Sequence, residues 1–413
     1  MRISTIQAFN NGVAGIQRNY ANATRTQEQI STGNRMLTPA DDPVASVRLL
    51  QLEQQQNVLT QYKDNLTAAQ GSLTQEEVSL NSVNTILQRV RELAVQAGNG
   101  ALSQSDRQSI AAELGAREEE LFGQMNSRNA RGEYLFAGFQ GKSQPFVREA
   151  DGSYSYQGDE GQRKLQVASS LDLPISDSGK KVFQNVTNAG RLQLTPLAPP
   201  YAAGSTLNVS KPLVQDEVAF AGTPAFPVSG VEIRFDATDP KRYDVYGIPA
   251  AAVLASGRMD ADDVTSDQLV FRGVSVQFDG VPVGGESINV TIDPTRQKQG
   301  ILDTIAQLRS TLENPATGLQ VRDAVAVALT NLDHGISTVD SVRGEIGARL
   351  NIIDSSQTDN EDVTLVNKGV QADLRELDYP EALSRLSFQT IVLEASQQSY
   401  VKIAGLSLFN KLR

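Results

Sequence analysis

The first thirty residues carry a pattern that one helix cannot satisfy alone. Apolar side chains recur there at alternating steps of three and four residues, which places them on one helical face. They are Ile6, Phe9, Val13, Ile16, Tyr20, Ala23 and Ile30. Each large side chain left in water forfeits roughly 1.5–3 kcal/mol of burial free energy, so the helix needs a partner. Gly33, Pro39 and Pro43 break the chain soon afterwards, so that partner is not local.

The other end of the sequence repeats the same step, with Leu383, Leu386, Thr390, Leu393, Gln397, Tyr400 and Ala404. We therefore expect the two chain ends to pair as helices. Because this second stripe includes polar residues, the pair is weak, which indicates that its main partners are other subunits. The predicted assembly residues are Ile6, Phe9, Val13, Ile16, Tyr20, Ile30, Leu383, Leu386, Leu393 and Tyr400.

The longest regular pattern predicts a helix from Pro43 to Ala97, with Asp42 as its N-cap. Such a helix is on the order of 80 Å long, so we expect a rod. Glu76 is the one polar residue in its heptad stripe. A second long stripe, from Val325 to Ile353, is expected to lie antiparallel to it. Ser103 with Asp106 resembles a capping box for a third helix. The predicted buried face of that helix holds Ile110, Leu114, Leu121 and Met125. A short amphipathic helix is predicted around Ile301, Ile305, Leu308 and Leu312.

Between about residues 141 and 294 the heptads give way to alternating β-type runs, such as Val231–Phe235 and Val274–Phe278. Asp151-Gly152 and Asp279-Gly280 are hairpin-turn dipeptides. A stretch near residues 250–267 is interpreted as helical or irregular. The sequence thus predicts an α+β protein: a long coiled-coil-like helical rod built from both chain ends, with an inserted antiparallel β-rich domain. We expect a terminal assembly domain (1–43 with 379–413), a helical rod domain (44–141 with 295–378) and a β-rich outer domain (142–294).

Composition excludes several classes of function. The 413-residue chain has a net charge of −11, which disfavours nucleic acid as a partner. It contains no cysteine and one histidine, His334, so thiolate and histidine-cluster metal sites are excluded. No segment reaches the length of a membrane span. The N-terminus lacks a signal-peptide pattern, so we expect either a cytoplasmic protein or export without a cleaved signal.

No motif in the sequence carries recognisable chemistry. Gly141-Lys142-Ser143 lacks the earlier glycine of a phosphate-binding loop, and Asp260-Ala261-Asp262-Asp263 lacks the glycine and glutamate of a calcium loop. We identify no carboxylate beside an aromatic or apolar run that would raise its pKa. The sequence therefore predicts no catalytic residue, no cofactor and no metal site.

Several motifs together resemble the flagellin superfamily. Ile30-Ser31-Thr32-Gly33-Asn34-Arg35 and Ala40-Asp41-Asp42-Pro43 are similar to its signature after the first helix. Asp378-Tyr379 with Glu381-Ala382 is similar to its joint before the last helix, and Gly132-Glu133-Tyr134-Leu135-Phe136-Ala137-Gly138 resembles the hook–filament junction branch. On the returning rod helix, the residues similar to the family pattern are Val339, Arg343, Gly347, Ala348 and Asn351. In the β domain, the similar segments are Gly280-Val281-Pro282 and Gly284-Gly285-Glu286. Glu286 stands where the pattern has an aspartate.

The resemblance implies a structural, non-enzymatic role in the bacterial flagellum. The subunit would be exported through the flagellar type III apparatus without a cleaved signal, with the help of an export chaperone. It would then self-assemble through its terminal helices into a ring between a sister hook-associated protein and the first flagellins. The alternatives are a filament flagellin, a cytoplasmic coiled-coil scaffold, and an enzyme such as a glycosidase in the β insertion.

Overall fold

A computed structural model describes residues 2–196, 202–249, 252–260, 266–315 and 317–409, without the side chains of residues 2–6, 8 and 404–409. The chain divides into two compact units: a first unit, formed by residues up to 65 with those from 354 onward, and a second unit, residues 66–353. The helices are α1 (Arg2–Thr32), α2 (Pro43–Ala97), α3 (Gln104–Met125), α4 (Glu217–Ala221), α5 (Ile301–Glu313), α6 (Gly318–Arg375) and α7 (Tyr379–Phe409). The strands are β1 (Phe146–Arg148), β2 (Tyr154–Tyr156), β3 (Lys164–Ala168), β4 (Leu171–Pro174), β5 (Val186–Thr187), β6 (Leu192–Thr195), β7 (Asn208–Val209), β8 (Leu213–Val214), β9 (Val231–Phe235), β10 (Arg242–Gly247), β11 (Val253–Arg258), β12 (Asp267–Phe271), β13 (Val274–Asp279), β14 (Ser287–Ile292) and β15 (Lys298–Gln299).

The first unit consists of two antiparallel helix pairs. In one pair α1 lies against α7, and in the other the beginning of α2 lies against the end of α6. The signals at the helix ends act as the sequence predicts. Gly33 adopts φ +70° and its N–H donates to the Gln29 carbonyl oxygen at 2.8 Å, which ends α1. Asp42 caps α2, because its Oδ1 accepts from the Ala45 N–H at 3.0 Å.

The second unit has a helical core in which the predicted heptad residues of α2 are fully buried. Leu66, Leu73, Leu80 and Leu87 are each 0% exposed. The α6 helix runs antiparallel to α2 here, as predicted. Paired side chains that set this direction are Asn84 with Asp340 at 2.8 Å, Arg91 with Asp333 at 2.6 Å and Glu77 with Arg343 at 2.8 Å.

Two shorter helices cover this core. Helix α3 begins at the predicted capping box, in which the Ser103 side chain accepts from the Asp106 N–H and the Asp106 carboxylate accepts from the Ser103 N–H. Helix α5 packs on α3 and buries the apolar face that the sequence predicts. The core residues of the two helices are Ile110, Leu114, Leu121, Met125, Ile301, Ile305, Leu308 and Leu312.

The middle of the chain is antiparallel β structure, as predicted. A five-stranded sheet has the order β11-β10-β9-β14-β6, and a second sheet has the order β12-β13-β7, with β8 also paired to β13. Alternate side chains of β9 and β13 enter a shared apolar core that is separate from the helical one. Small hairpins, β1-β2 and β3-β4, lie in the same unit. The predicted α+β class, with helices from both ends of the sequence around an antiparallel β region, is confirmed.

Two local predictions in the β region are wrong. Residues 250–251 and 261–265 of the stretch near 250–267 lie outside the described part of the chain, but its residues 253–258 form the edge strand β11, where a side chain on Gly257 would meet the Tyr243 ring at 2.3 Å. The alanine- and serine-rich composition of this segment does not favour a strand, but its pairing with β10 makes it one. Asp279-Gly280 does not form a hairpin turn, because β13 and β14 belong to different sheets. Gly280 instead takes φ +83° where the chain passes the Thr206 carbonyl.

Candidate assembly interface

The α1–α7 pair is held by a small number of specific contacts. The rings of Phe9 and Tyr400 lie 5.2 Å apart, and the Asn19 amide donates to the Ser396 hydroxyl at 3.0 Å. A Cβ on Gly12 would meet the Tyr400 ring at 3.1 Å, so this glycine lets the tyrosine approach the α1 backbone. The glycine that weakens α1 as a helix is therefore used for packing.

The apolar side chains of the predicted stripe on α1 differ in their exposure to solvent. Val13, Ile16 and Ile30 are half-buried. Phe9 and Tyr20 remain 51% and 64% exposed. Helix α1 therefore keeps large apolar side chains in water beside the contact with α7. The side chain of Ile6 lies outside the described part of the chain.

The predicted stripe of α7 is split in the same way. Leu386, Leu393 and Tyr400, seven residues apart, are half-buried on the side of α1. Leu383 is 52% exposed, whereas its neighbour Ala382 is fully buried. Sequence reasoning missed further exposed apolar residues outside the predicted stripe, which are Phe388, Ile391, Val401 and Ile403. The signal that could have found them is the high apolar content of α7 on more than one face.

A joint connects the two helix pairs of the first unit. Asn34 and Glu376 form an isolated antiparallel β-bridge. The Arg35 N–H donates to the Arg375 carbonyl at 2.8 Å, and the Leu377 N–H donates to the Gly33 carbonyl at 3.0 Å. The turn after α1 is thereby fixed to the turn before α7 by main-chain hydrogen bonds.

Side chains complete this joint. The buried Gln29 amide donates to the Arg35 carbonyl at 2.6 Å. Asp41 accepts from the N–H groups of Leu37 and Thr38, and these hydrogen bonds lower the pKa of its carboxyl to about 2. The Arg25 guanidinium lies 2.5 Å from the same carboxylate. The signature residues 30–43 are therefore turn and cap residues with defined hydrogen bonds.

The described residues contain no group of three or more His, Asp or Glu side chains placed to hold a metal ion. His334 packs with its Nδ1 at 2.8 Å from the Thr187 carbonyl oxygen. Within the described ranges, no helix combines the length and the apolar character needed to cross a membrane.

One sequence expectation about carboxylates is wrong. Glu76, in the heptad stripe of α2, is 2% exposed, and burial raises the pKa of its carboxyl to about 8, with the nearby Asp177 carboxylate adding to the rise. Its Oε1 accepts from the Asp177 N–H at 3.0 Å. Asp177 is itself fully buried and pairs with Arg349 at 2.7 Å. Glu76 and Asp177 are therefore a buried, hydrogen-bonded pair in the packing of the second unit.

This chain is similar in sequence to several known proteins. Residues 3–141 match the bacterial flagellin N-terminal helical region. Flagellar hook-associated protein 3 of Salmonella typhimurium is 35% identical over 188 residues, and that of Escherichia coli is 34% identical over 188 residues. Each alignment covers 46% of this chain and 58% of the relative, so the chain spans less than two thirds of the length of these relatives.

Solved structures show the same fold. A crystal structure of flagellar hook-associated protein 3 from Legionella pneumophila gives a TM-score of 0.62 at 24% identity, covering 78% of this chain and 98% of that one. FlgL from Xanthomonas campestris gives a TM-score of 0.61 at 22% identity, covering 78% and 99% of the two chains. Residues 3–141 thus match the bacterial flagellin N-terminal helical region, and the chain is similar in sequence to flagellar hook-associated protein 3.

Proposed function

We propose that this protein is a structural subunit of the bacterial flagellum that joins hook to filament and self-assembles through α1 and α7. The observation that carries the proposal is the α1–α7 pair, which leaves Phe9, Tyr20 and Leu383 largely in water. A helix pair with large apolar side chains on its outer surface gains burial only when neighbouring copies cover it.

The assembly residues are those predicted from the sequence. Ile16, Ile30, Leu386 and Leu393 would hold α1 to α7, and Tyr400 would close the pair against Gly12. Phe9, Tyr20 and Leu383 would contact neighbouring copies, together with Ile6 and Val13 of the same stripe. Supporting this division, the first group is half-buried, and Phe9, Tyr20 and Leu383 of the second group are exposed, whereas Val13 is half-buried.

The partners follow from the relatives. Similarity to hook-associated protein 3 supports a place in the flagellum between a sister hook-associated protein and flagellin, outside the cell. Export would proceed without a cleaved signal and with a chaperone. The relatives are structural proteins, and we propose that this chain, like them, has no enzymatic activity.

A filament flagellin is the second candidate. The Borreliella burgdorferi flagellar filament 41 kDa core protein is 36% identical over 112 residues, which favours this alternative over 27% of the chain. Similarity to hook-associated protein 3, at 35% identity over 46% of the chain, favours the junction.

Deletion of the gene separates the two candidates. If the protein is the junction, cells lacking it keep their hooks and release flagellin monomers into the medium. If it is a filament flagellin, cells lacking it keep their hooks but have no filaments. These cells release no other flagellin into the medium. Finding the protein in the cytoplasm and never in sheared appendages would contradict both.

A further inference from the structure

Within the first unit, α6 is polar on the side that faces α2. Five side chains at alternating steps of three and four residues are buried or half-buried: Gln357, Asn360, Thr364, Asn367 and Gln371. The Gln56 amide donates to the Thr364 hydroxyl at 3.5 Å across this contact. In the second unit, by contrast, the corresponding stripe of α6 is apolar up to Ile353.

This polar contact is poorly satisfied. The side-chain nitrogens of Asn360, Asn367 and Gln371 are buried and have no hydrogen-bond partner among the residues that the structure describes. A buried polar group without a partner costs roughly 1–3 kcal/mol. Polar side chains therefore form the α6 side of this contact, and the valines of this segment lie elsewhere on the helix.

Three valines of this segment form a separate stripe, and Leu365, which is 71% exposed, lies on another side of the helix. Val363, Val366 and Val370 follow at steps of three and four residues, and Val363 and Val366 are 40% and 64% exposed. By helical spacing, Asp362 and Asp373 fall on the same face, and both are exposed. Asp359 lies there too, while Lys368 falls on another side of the helix. The outer face of α6 is thus an apolar stripe bordered only by negative charge. We call it the outer valine stripe.

We propose that the outer valine stripe binds helix α1 of a second copy of this chain, an inference that rests on the proposed assembly function. Helix α1 carries the exposed Arg18 and no acidic residue before Glu28, while its Arg25 already pairs with Asp41 of the same chain. It also keeps Phe9 and Tyr20 exposed. A basic helix with exposed aromatic residues complements an acidic helix with exposed valines in both charge and apolar surface.

Removing the apolar surface tests the site. The double variant Val363→Ser, Val366→Ser should reduce recovery of the protein in sheared appendages by roughly tenfold or more, because two side chains lose their burial. Its purified form should keep the wild-type circular dichroism and melting temperature, since both valines are exposed. The matched control is Val218→Ser, Val228→Ser, whose valines are 84% and 86% exposed in the β region. Wild-type recovery of the α6 variant would overturn the proposal.

A charge exchange tests the occupant. Asp362→Arg and Arg18→Asp should each lower incorporation, because each places like charges in contact. The two changes together in every copy should restore it to within roughly twofold of wild type, since the attraction returns with its sign exchanged. Loss in the single variants without recovery in the combined variant would show that another partner, such as a chaperone or a different flagellar protein, covers the stripe, and would overturn the assignment to α1. Failure of the proposed function itself gives a different result, because the wild-type protein would then be absent from appendages.

Discussion

Asn34 and Glu376 pair in an isolated antiparallel bridge that joins the turn after α1 to the turn before α7. Main-chain hydrogen bonds from Arg35 and Leu377 close this bridge on both sides. Backbone pairing of this kind depends little on side-chain identity, so it fixes where α1 and α7 begin to pair. The motifs that resemble the flagellin superfamily coincide with this joint, which gives the resemblance a physical basis.

The joint should depend on Gly33. This residue holds φ +70°, and a Cβ there would lie 3.0 Å from the Tyr379 hydroxyl. We predict that Gly33→Ala destabilises the bridge by about 1–2 kcal/mol, the cost of a left-handed conformation for a residue with a side chain. Amide hydrogen exchange at Arg35 and Leu377 measures this, because both N–H groups donate across the joint.

Gly15 provides the matched control for this change. It lies inside α1, and a Cβ there would meet nothing within 4 Å. Gly15→Ala should stabilise α1 by roughly 0.5–1 kcal/mol. Equal exchange rates in wild type and Gly33→Ala would show that the joint does not need the glycine.

Stability of the second unit should fall as pH rises. The folded protein holds the pKa of Glu76 at about 8, above its ordinary value of 4.5, so the folded state retains a proton that the unfolded state has lost. This contribution is complete below pH 4.5 and disappears as pH rises through 8. The melting temperature should therefore decline between pH 5 and pH 8.5. Differential scanning calorimetry across this range measures the slope.

Glu76→Gln should flatten that slope, because the glutamine stays neutral and keeps an oxygen for the Asp177 N–H. Glu77→Gln is the control, since Glu77 pairs with Arg343 near the surface and its removal leaves the slope in place. An identical pH dependence in wild type and Glu76→Gln would contradict the assignment of a proton to the buried carboxyl.

The heptad stripe of α2 should govern the stability of the helical core. Leu87 is fully buried there, and Leu87→Ala should cost about 2–5 kcal/mol in the free energy of unfolding. Val95 lies on the same helix but is 53% exposed, so Val95→Ala should change this free energy by less than about 0.5 kcal/mol. Urea denaturation followed by circular dichroism compares the two. Similar midpoints would mean that this stripe does not form the core.

Periodicity in the sequence identified the helices and most of the core but not which stripe of a surface helix meets its partner. On α1 the heptad reading included Tyr20, which is exposed, and left out Asn19, which donates to Ser396. A straight α-helix drifts by about 20° per heptad relative to a strict seven-residue repeat, so neighbouring positions exchange roles along its length. Pairing with α7 determines which of these neighbouring positions on α1 is in contact. The local sequence of α1 does not contain this information.

The β region shows a similar limit. The alternation in β9 and β13 is local, and it predicted both strands correctly. Strand β11 has no such alternation of buried and exposed residues, because it is an edge strand that, among the strands the structure describes, pairs with β10 alone. The raised pKa of Glu76 also depends on a distant residue, because Asp177 approaches it from another part of the chain.

The claim that α1 and α7 present a surface to neighbouring copies is tested most directly by adding one charge to that surface. Tyr20 is 64% exposed, so Tyr20→Asp should leave the purified protein folded. Asn22→Asp, which adds the same charge at another exposed position of α1, is the control. The measurement is the amount of each variant recovered in sheared appendages. We predict that Tyr20→Asp is absent there while Asn22→Asp is present at the wild-type level, and equal recovery of both variants would contradict the assembly role of this helix pair.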